Sequence, residues 1–333
     1  MTVSKLIQAI LEAYSRAEAK LLAAVSEAVS YKDRERQLAE LRRQAQQIVD
    51  QLRTGSVDQA LKALIVAYEE GATRAKTGTV LVNPLPNAFL AAELFNVLGE
   101  TRFALLRQTE DAFRTAVAAE VSPVLLGTET RLGSAAEVLR YLAERGFTFR
   151  DRSGREWELA SYVEMATRTA TMNAFREGRA ASLLANGYDL VVIRSGPSRC
   201  PKCDPYNGKI VSLTGKHPKY PSLERAKTDG VFHPNCRCSF SAYIEGLTET
   251  EPVERVPNYY AEEQELRRLE REARSLRRIV AVTGDEAAKD QLKVVTEQIK
   301  ALVEDTEGLT RKPHREQIGV PRGGFGFTGT AQG

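Results

Sequence analysis

Two short stretches decide how this chain is read: CPKCDPYNGK, residues 200–209, and FHPNCRCSF, residues 232–240. Together they hold all four cysteines of the 333-residue chain and one of its three histidines, His233. Zinc binds thiolates and imidazole tetrahedrally, and closed sites often take two ligands from one tight turn. Cys200-Pro201-Lys202-Cys203 offers such a pair, stiffened by its proline and followed by a second turn, Asp204 to Gly208. The second stretch offers three donors for two places. Residues i and i+2 of a strand share a face, so Cys236 and Cys238 can point at one metal. His233 reaches that metal only if Pro234-Asn235 turns. The spacing therefore predicts a structural Zn2+ held by Cys200, Cys203, Cys236 and Cys238, with His233 as the alternative fourth ligand in place of Cys238. Two disulfides, or four reduced cysteines without metal, are the competing readings. The metal would clip a long loop onto a sheet too small to hold itself together.

Working outward, the length exceeds one ordinary core and suggests several structural units. The hydrophobic fraction of 42% suffices for a folded protein, and no apolar run approaches the roughly 18–20 residues that span a bilayer. The N-terminal MTVSKLIQAILEAYSRAEAK has acidic residues among its apolar ones and lacks a signal-peptide core. The expectation is a soluble chain made in a cytoplasm, where cysteines stay reduced or metal-bound. The net charge is only +3, but residues 194–237 carry nine Lys/Arg against three acidic side chains. Such a patch can attract DNA, or it can balance metal-bound thiolates among ordinary surface lysines.

Apolar residues recur in steps of three or four at Ile7, Leu11, Tyr14, Leu21 and Val25, and again at Leu38, Leu41, Ala45, Ile48 and Leu52. That spacing lines one helix face or a coiled-coil seam, and the polar SYKDRE between the runs bends them into a hairpin. A separate helix is expected over 57–77 and a proline loop in VLVNPLPNAF. Another helix is expected over 88–121 with a break at Gly99, and a short one ending at Gly146. FTFRDRSGREW reads as two short strands around a turn, and Leu159 to Asn186 as a helix stopped by Gly187. YDLVVI, KIVSL and SFSAYI read as strands. Leu266, Leu269, Ala273, Leu276 and Val280 form one late helical seam, and Ala288, Leu292, Val295, Ile299 and Leu302 a second. The balanced charge of RRLEREARSLRR beside the first seam suits a helix that exchanges partners, so this seam is expected to meet another protein.

The fold class that follows is α+β, predominantly α, with long helical hairpins flanking a small zinc-clipped sheet-and-helix module. Its expected divisions are an N-terminal hairpin (1–55), a helical region (56–146), the cysteine-bearing α+β module (147–250), a C-terminal hairpin (251–310) and a Gly-rich tail (311–333).

The stretch 147–246 resembles the phage minor capsid protein 2 family, which is related to Mu-type head morphogenesis proteins. The resemblance rests on FTFRDRSGREWELASYVEMATRT, GYDLVVIRSG, CDPYNGKIVSLTG, YPSL and GVFHPNCRCSFSAYIEG, with FALLRQTEDAFRTAV upstream and LRRLEREARSLRRI downstream. HPNCRC is its most distinctive part. Many relatives look to have histidine near the end of the VVIRSG strand and at position 238, where this chain has Ser195 and Cys238. That exchange of His for Cys suits a metal ligand at 238. The resemblance implies a low-copy structural protein of a tailed-phage head, located in the virion and, during assembly, in the host cytoplasm. It implies the portal protein, the major capsid protein or both as partners; the basic charge of 194–237 adds a DNA contact, self-association is left open, and no membrane partner is expected.

No P-loop, GxSxG or HExxH motif occurs, and no nucleophile–base constellation is evident, so the chain is expected not to be an enzyme. The competing functions are a zinc-dependent nuclease and a DNA-binding module. Arg168 and Thr169 are read as contacts to a partner or to the cysteine loop, or as a buried arginine satisfied by carbonyls. Asp151 is read as turn chemistry, Glu156 as a second carboxylate beside it, Trp157 as core, and His217 and His314 as solvated.

Overall fold

The computed structural model describes residues 2–31, 33–75, 88–126, 131–151, 153–195, 200–250 and 258–318. The proline loop at 80–87, Arg199 and the Gly-rich stretch from 319 onward lie outside the described residues. Among those described, eight helices and five short strands follow in the order α1 (Val3–Val29), α2 (Arg34–Thr73), α3 (Ala88–Leu126), α4 (Arg131–Arg145), β1 (Thr148–Arg150), β2 (Glu156–Glu158), α5 (Leu159–Ala185), β3 (Leu190–Arg194), β4 (Ile210–Ser212), α6 (Leu223–Thr228), β5 (Ser239–Ala242), α7 (Tyr260–Thr283) and α8 (Glu286–Asp305). No helix among the described residues is long and apolar enough to cross a membrane.

The turn predicted at SYKDRE is present. Asp33 caps α2 by accepting from the Arg36 N–H at 3.1 Å, and α1 and α2 form the expected hairpin. The breaks expected beyond it are not found. α2 runs through Gly55, so the division drawn between 1–55 and 56–146 falls inside one helix, and α3 runs through Gly99. An interior glycine costs a helix only about 1 kcal/mol, which the buried faces of these long helices outweigh. The hairpin is also not a separate unit. Ile10, Tyr14 and Leu21 of α1, Ala60 and Leu64 of α2, Leu98 and Leu105 of α3, and Val163 and Ala174 of α5 share one core.

Helix α5 links that bundle to the sheet, and two glycines set how closely it lies on α2. A methyl group at Gly71 would stand 1.9 Å from the Phe175 carbonyl oxygen, and one at Gly178 would stand 2.0 Å from that of Tyr68. Only hydrogen fits at either crossing. Gly187, at φ 79°, ends α5 as expected, and the chain turns directly into β3.

β1 and β2 pair antiparallel as a separate hairpin, with Phe149 opposite Trp157. The second sheet has the order β4-β3-β5, all antiparallel, with Val192 opposite both Ile210 and Ser241. Its buried face, built from Val191, Ile193, Val211 and Phe240, packs with Leu183 of α5 and with the cysteines.

α7 and α8 form the C-terminal hairpin, closed by Gly284 at φ 69° and capped by Asp285, which accepts from the Ala288 N–H at 3.1 Å. Here the expectation of a partner-exchanging seam is overturned. Leu266, Leu269, Ala273, Leu276 and Ile279 are buried against Ala288, Val295 and Ile299 of α8 and Ala143 of α4. Two of the charges beside the seam are also turned inward. Arg274 donates to Glu158 and Ser161, and Arg278 donates to Glu158 and to the Ala143 carbonyl, all from buried positions. The tail expected from 311 begins as packed structure: Arg315 is buried against Glu164 and Glu270, and Ile318 is buried as well.

Candidate metal centre

Cys200 and Cys203 lie in the connection between β3 and β4. The N–H groups of Cys203 and Asp204 both donate to the Cys200 carbonyl at 3.0 Å, which makes the tight knuckle its sequence implied. Asp204–Tyr206 then form one 3-10 turn leading into β4. Cys203 is fully buried and Cys200 half-buried.

The second half depends on whether Pro234-Asn235 turns, and it does. The Cys236 N–H donates to the His233 carbonyl at 3.0 Å, and Asn235 sits at φ 70°. Proline at the second position and a left-handed asparagine at the third are what a type II turn requires. The turn places His233 and Cys236 at its two ends, both facing the knuckle. The His233 ring has its Nδ1 2.8 Å from the Pro234 carbonyl, so Nδ1 carries the proton and donates. Nε2 faces the knuckle and lies 3.0 Å from Cys200 Sγ. A backbone carbonyl fixing one ring nitrogen while the other faces thiolate donors is the arrangement in which histidine ligates metals.

The five donors fall into two overlapping triads, Cys200/Cys203/His233 and Cys203/Cys236/Cys238, with the ligand atoms in each within 4.8 Å of one another. Cys203 belongs to both. Its Sγ is 3.5 Å from that of Cys236, and the Cys238 N–H donates to Cys236 Sγ at 3.3 Å. These contacts polarise the group. Hydrogen bonds from Cys203 and Cys238, together with the Arg176 charge and the Cys238 N–H, hold the Cys236 thiol well below the usual range. Contacts with Cys236 and Cys238, together with burial, drive Cys203 upward. Three touching buried thiols cannot all ionise unless a cation sits among them. The cluster can hold a metal ion, and its soft sulfur-rich donor set suits one of the zinc type.

Helix α5 holds the ligand loop at three points. Arg168 Nη1 donates to Asn235 Oδ1 at 2.9 Å, and Thr169 Oγ1 accepts from the Asn235 N–H at 2.9 Å. Both contacts fit the alternative in which these residues reach the cysteine loop; the other reading, a buried arginine satisfied by carbonyls, does not hold, because Arg168 is half-buried and bonded to Asn235 Oδ1 and Glu164. Arg176 went unnoticed in the sequence. It is buried, its guanidinium lies 4.4 Å above the Phe232 ring, and it donates to the Cys236 and Cys238 carbonyls at 2.9 Å each. Its only signal was an arginine two helical turns beyond Arg168 on α5, and nothing local tied it to residues sixty positions away.

The other singled-out residues serve structure. Asp151 accepts from the Ser153 and Arg155 N–H groups at 2.9 and 3.0 Å and from Trp157 Nε1 at 2.9 Å, as turn chemistry requires. Glu156 pairs with Arg145. His217 and His314 are half-buried rather than solvated: His217 lies against Tyr220, and burial pushes His314 below its usual range.

The family described as phage minor capsid protein 2 matches residues 42–305, most of the chain. A curated relative, a "Structural protein" of Lactococcus phage LL-H, is 24% identical over 196 residues, which is 53% of this chain. The chain spans about half of that relative's length (52%). No solved structure matches.

Proposed function

The chain belongs to the phage minor capsid protein 2 family, and from that premise we propose that it is a structural, non-enzymatic component of a tailed-phage head. It would be carried in the virion and assemble in the host cytoplasm, in association with the portal vertex. The family match over residues 42–305 carries this reading, and the similarity to a phage structural protein supports it. Long helices cemented by buried ion pairs suit a rigid bridging element. The portal or the major capsid protein is the expected partner.

The metal in this reading is a structural Zn2+, held by Cys200, Cys203 and Cys236 with a fourth ligand drawn from His233 or Cys238. The inward-facing Nε2 of His233 favours the histidine over the four-cysteine set expected from spacing. Bound there, zinc supplies the positive charge that lets the thiols ionise together. The chain's own contribution is to hold the β3–β4 loop and the 233–238 turn against α5. DNA contact remains part of the proposal. Lys202, Lys209, Lys216 and Lys227 are exposed, which supports contact with a polyanion.

Fractionation of purified phage heads tests the assignment. The chain should co-purify with the portal at low copy number. Heads that lack it, or that carry it in amounts matching the major capsid protein, would refute the portal-associated role.

A further inference from the structure

Between α5, α7 and the segment after α8 lies a recess of about 80 Å³ whose walls include Arg168, Arg267, Arg271, Arg274 and Arg315. Two carboxylates, Glu164 and Glu270, line it with them. We propose that this recess is an oxyanion site that takes a single phosphate-class anion.

The carboxylates that neutralise these arginines are shared. Glu164 serves both Arg168 and Arg315, Glu158 serves both Arg274 and Arg278, and Glu270 reaches Arg315 at 3.5 Å. Arg267 shares Glu263 with Arg237. Arg271 has no hydrogen bond or ion pair among the described residues. Positive charge is therefore in excess, and neighbouring Lys312 shows it. Burial together with Arg315, Arg237 and Arg168 pushes its ammonium down to about 7.

Buried polar groups are nearly always paired, yet two in this recess are not. Arg267 Nε is a buried donor without a partner, and Glu270, only 2% exposed, leaves its Oε1 without one. Burial pushes the Glu270 carboxyl upward, against the pull of Arg315. An oxyanion in the recess would accept from Arg267 Nε and from the Arg271 guanidinium. These are charge-assisted bonds of the kind arginine makes best with phosphate.

A liquid water occupies roughly 30 Å³, so the recess has room for about two or three waters or one tetrahedral anion. A base or sugar would have to stay outside. A free phosphate or a terminal phosphate group fits, and a duplex could offer only a backbone phosphate lying across the mouth.

The test uses the full chain as purified, with its metal. Thermal unfolding and calorimetry are run with inorganic phosphate against chloride at matched ionic strength, and separately with a short DNA duplex. Arg271→Gln is the first variant, because that side chain is exposed and unpaired, so its loss should leave folding intact. Arg267→Gln is the second. Arg268→Gln is the control: it lies on the same helix but on the outer face, paired with Glu265 and Glu272. Phosphate should bind and raise the melting temperature. Each recess variant should weaken that binding by roughly 10-fold or more, the size expected for one charged hydrogen bond, while Arg268→Gln leaves it unchanged. Absence of a phosphate-specific shift, or equal shifts in all three variants, would overturn the proposal. Duplex binding that depends on Arg271 without any phosphate binding would overturn it too, in favour of a nucleic-acid track.

Discussion

Replacing Arg176 with leucine probes how the helical bundle supports the cysteine cluster. Its guanidinium donates to the carbonyls of Cys236 and Cys238 at 2.9 Å each and to Asn173 Oδ1 at 2.9 Å, and it covers the Phe232 ring. Leucine fills much of the volume but donates nothing, so two buried carbonyls lose their partner. Each orphaned carbonyl costs roughly 1–3 kcal/mol, and the lost contact with the aromatic face adds about 1 kcal/mol. Relief of the buried cation's desolvation offsets part of this. A net loss of about 3 kcal/mol is expected. Arg176→Lys, which keeps a charge but can span only one carbonyl, should lose roughly half as much. Denaturant unfolding followed by the fluorescence of Trp157, the single tryptophan, gives the stability. The rate of metal release to a chelator gives the effect on the site, and both should change together. If Arg176→Leu unfolds at the wild-type denaturant midpoint and releases metal at the wild-type rate, the claim that α5 braces the ligand turn is wrong.

Further outcomes follow from the same contacts. Leu269→Asp with Leu276→Asp puts charge into the interface between α7, α8 and α4, so the variant should unfold or aggregate; a folded, soluble variant with native circular dichroism would contradict the internal seam. Gly178→Ala forces a methyl toward the Tyr68 carbonyl and should cost roughly 1–3 kcal/mol by overpacking, measured by denaturant unfolding, with no loss pointing to a looser α2–α5 crossing. Glu158 is buried, which alone would raise its carboxyl, but Arg274 and Arg278 outweigh burial and hold it at about 2 against an ordinary 4.5. Its folded value being depressed, the stability it contributes is present above about pH 4.5 and is lost as pH falls toward 2. The stability gap between wild type and Glu158→Gln, roughly 3 kcal/mol at neutral pH, should therefore shrink across that window in unfolding curves taken at successive pH values.

Much of this architecture was written locally. The period of apolar residues marked the faces of α1, α5, α7 and α8, Gly146 and Gly187 marked helix ends, and the HPNC turn could be anticipated from proline chemistry. The members of the cysteine–histidine cluster were legible because cysteine occurs nowhere else. What the sequence concealed was long-range. Gly55 and Gly99 resemble breaks, but burial along the whole helix overrides a penalty of about 1 kcal/mol. Gly71 and Gly178 matter only because two helices cross there. Arg274, Arg278 and Glu270 read as solvated charge beside a seam, because their partners lie on remote segments: Glu158 precedes α5, and Arg315 follows α8. A buried ion pair carries no local signal when its halves are more than a hundred residues apart, as Glu158 and Arg274 are.

The proposal that Cys200, Cys203, Cys236 and His233 form one closed metal site clipping two loops to the bundle is tested most directly by metal analysis with thiol titration. The account predicts about one zinc per chain in the native protein, thiols that react only after chelation or unfolding, metal lost in Cys203→Ser, and metal lost in His233→Ala but kept in Cys238→Ser. Loss with Cys238→Ser and retention with His233→Ala would move the fourth place to the cysteine. A native chain without zinc, whose four thiols all react freely, would contradict the account.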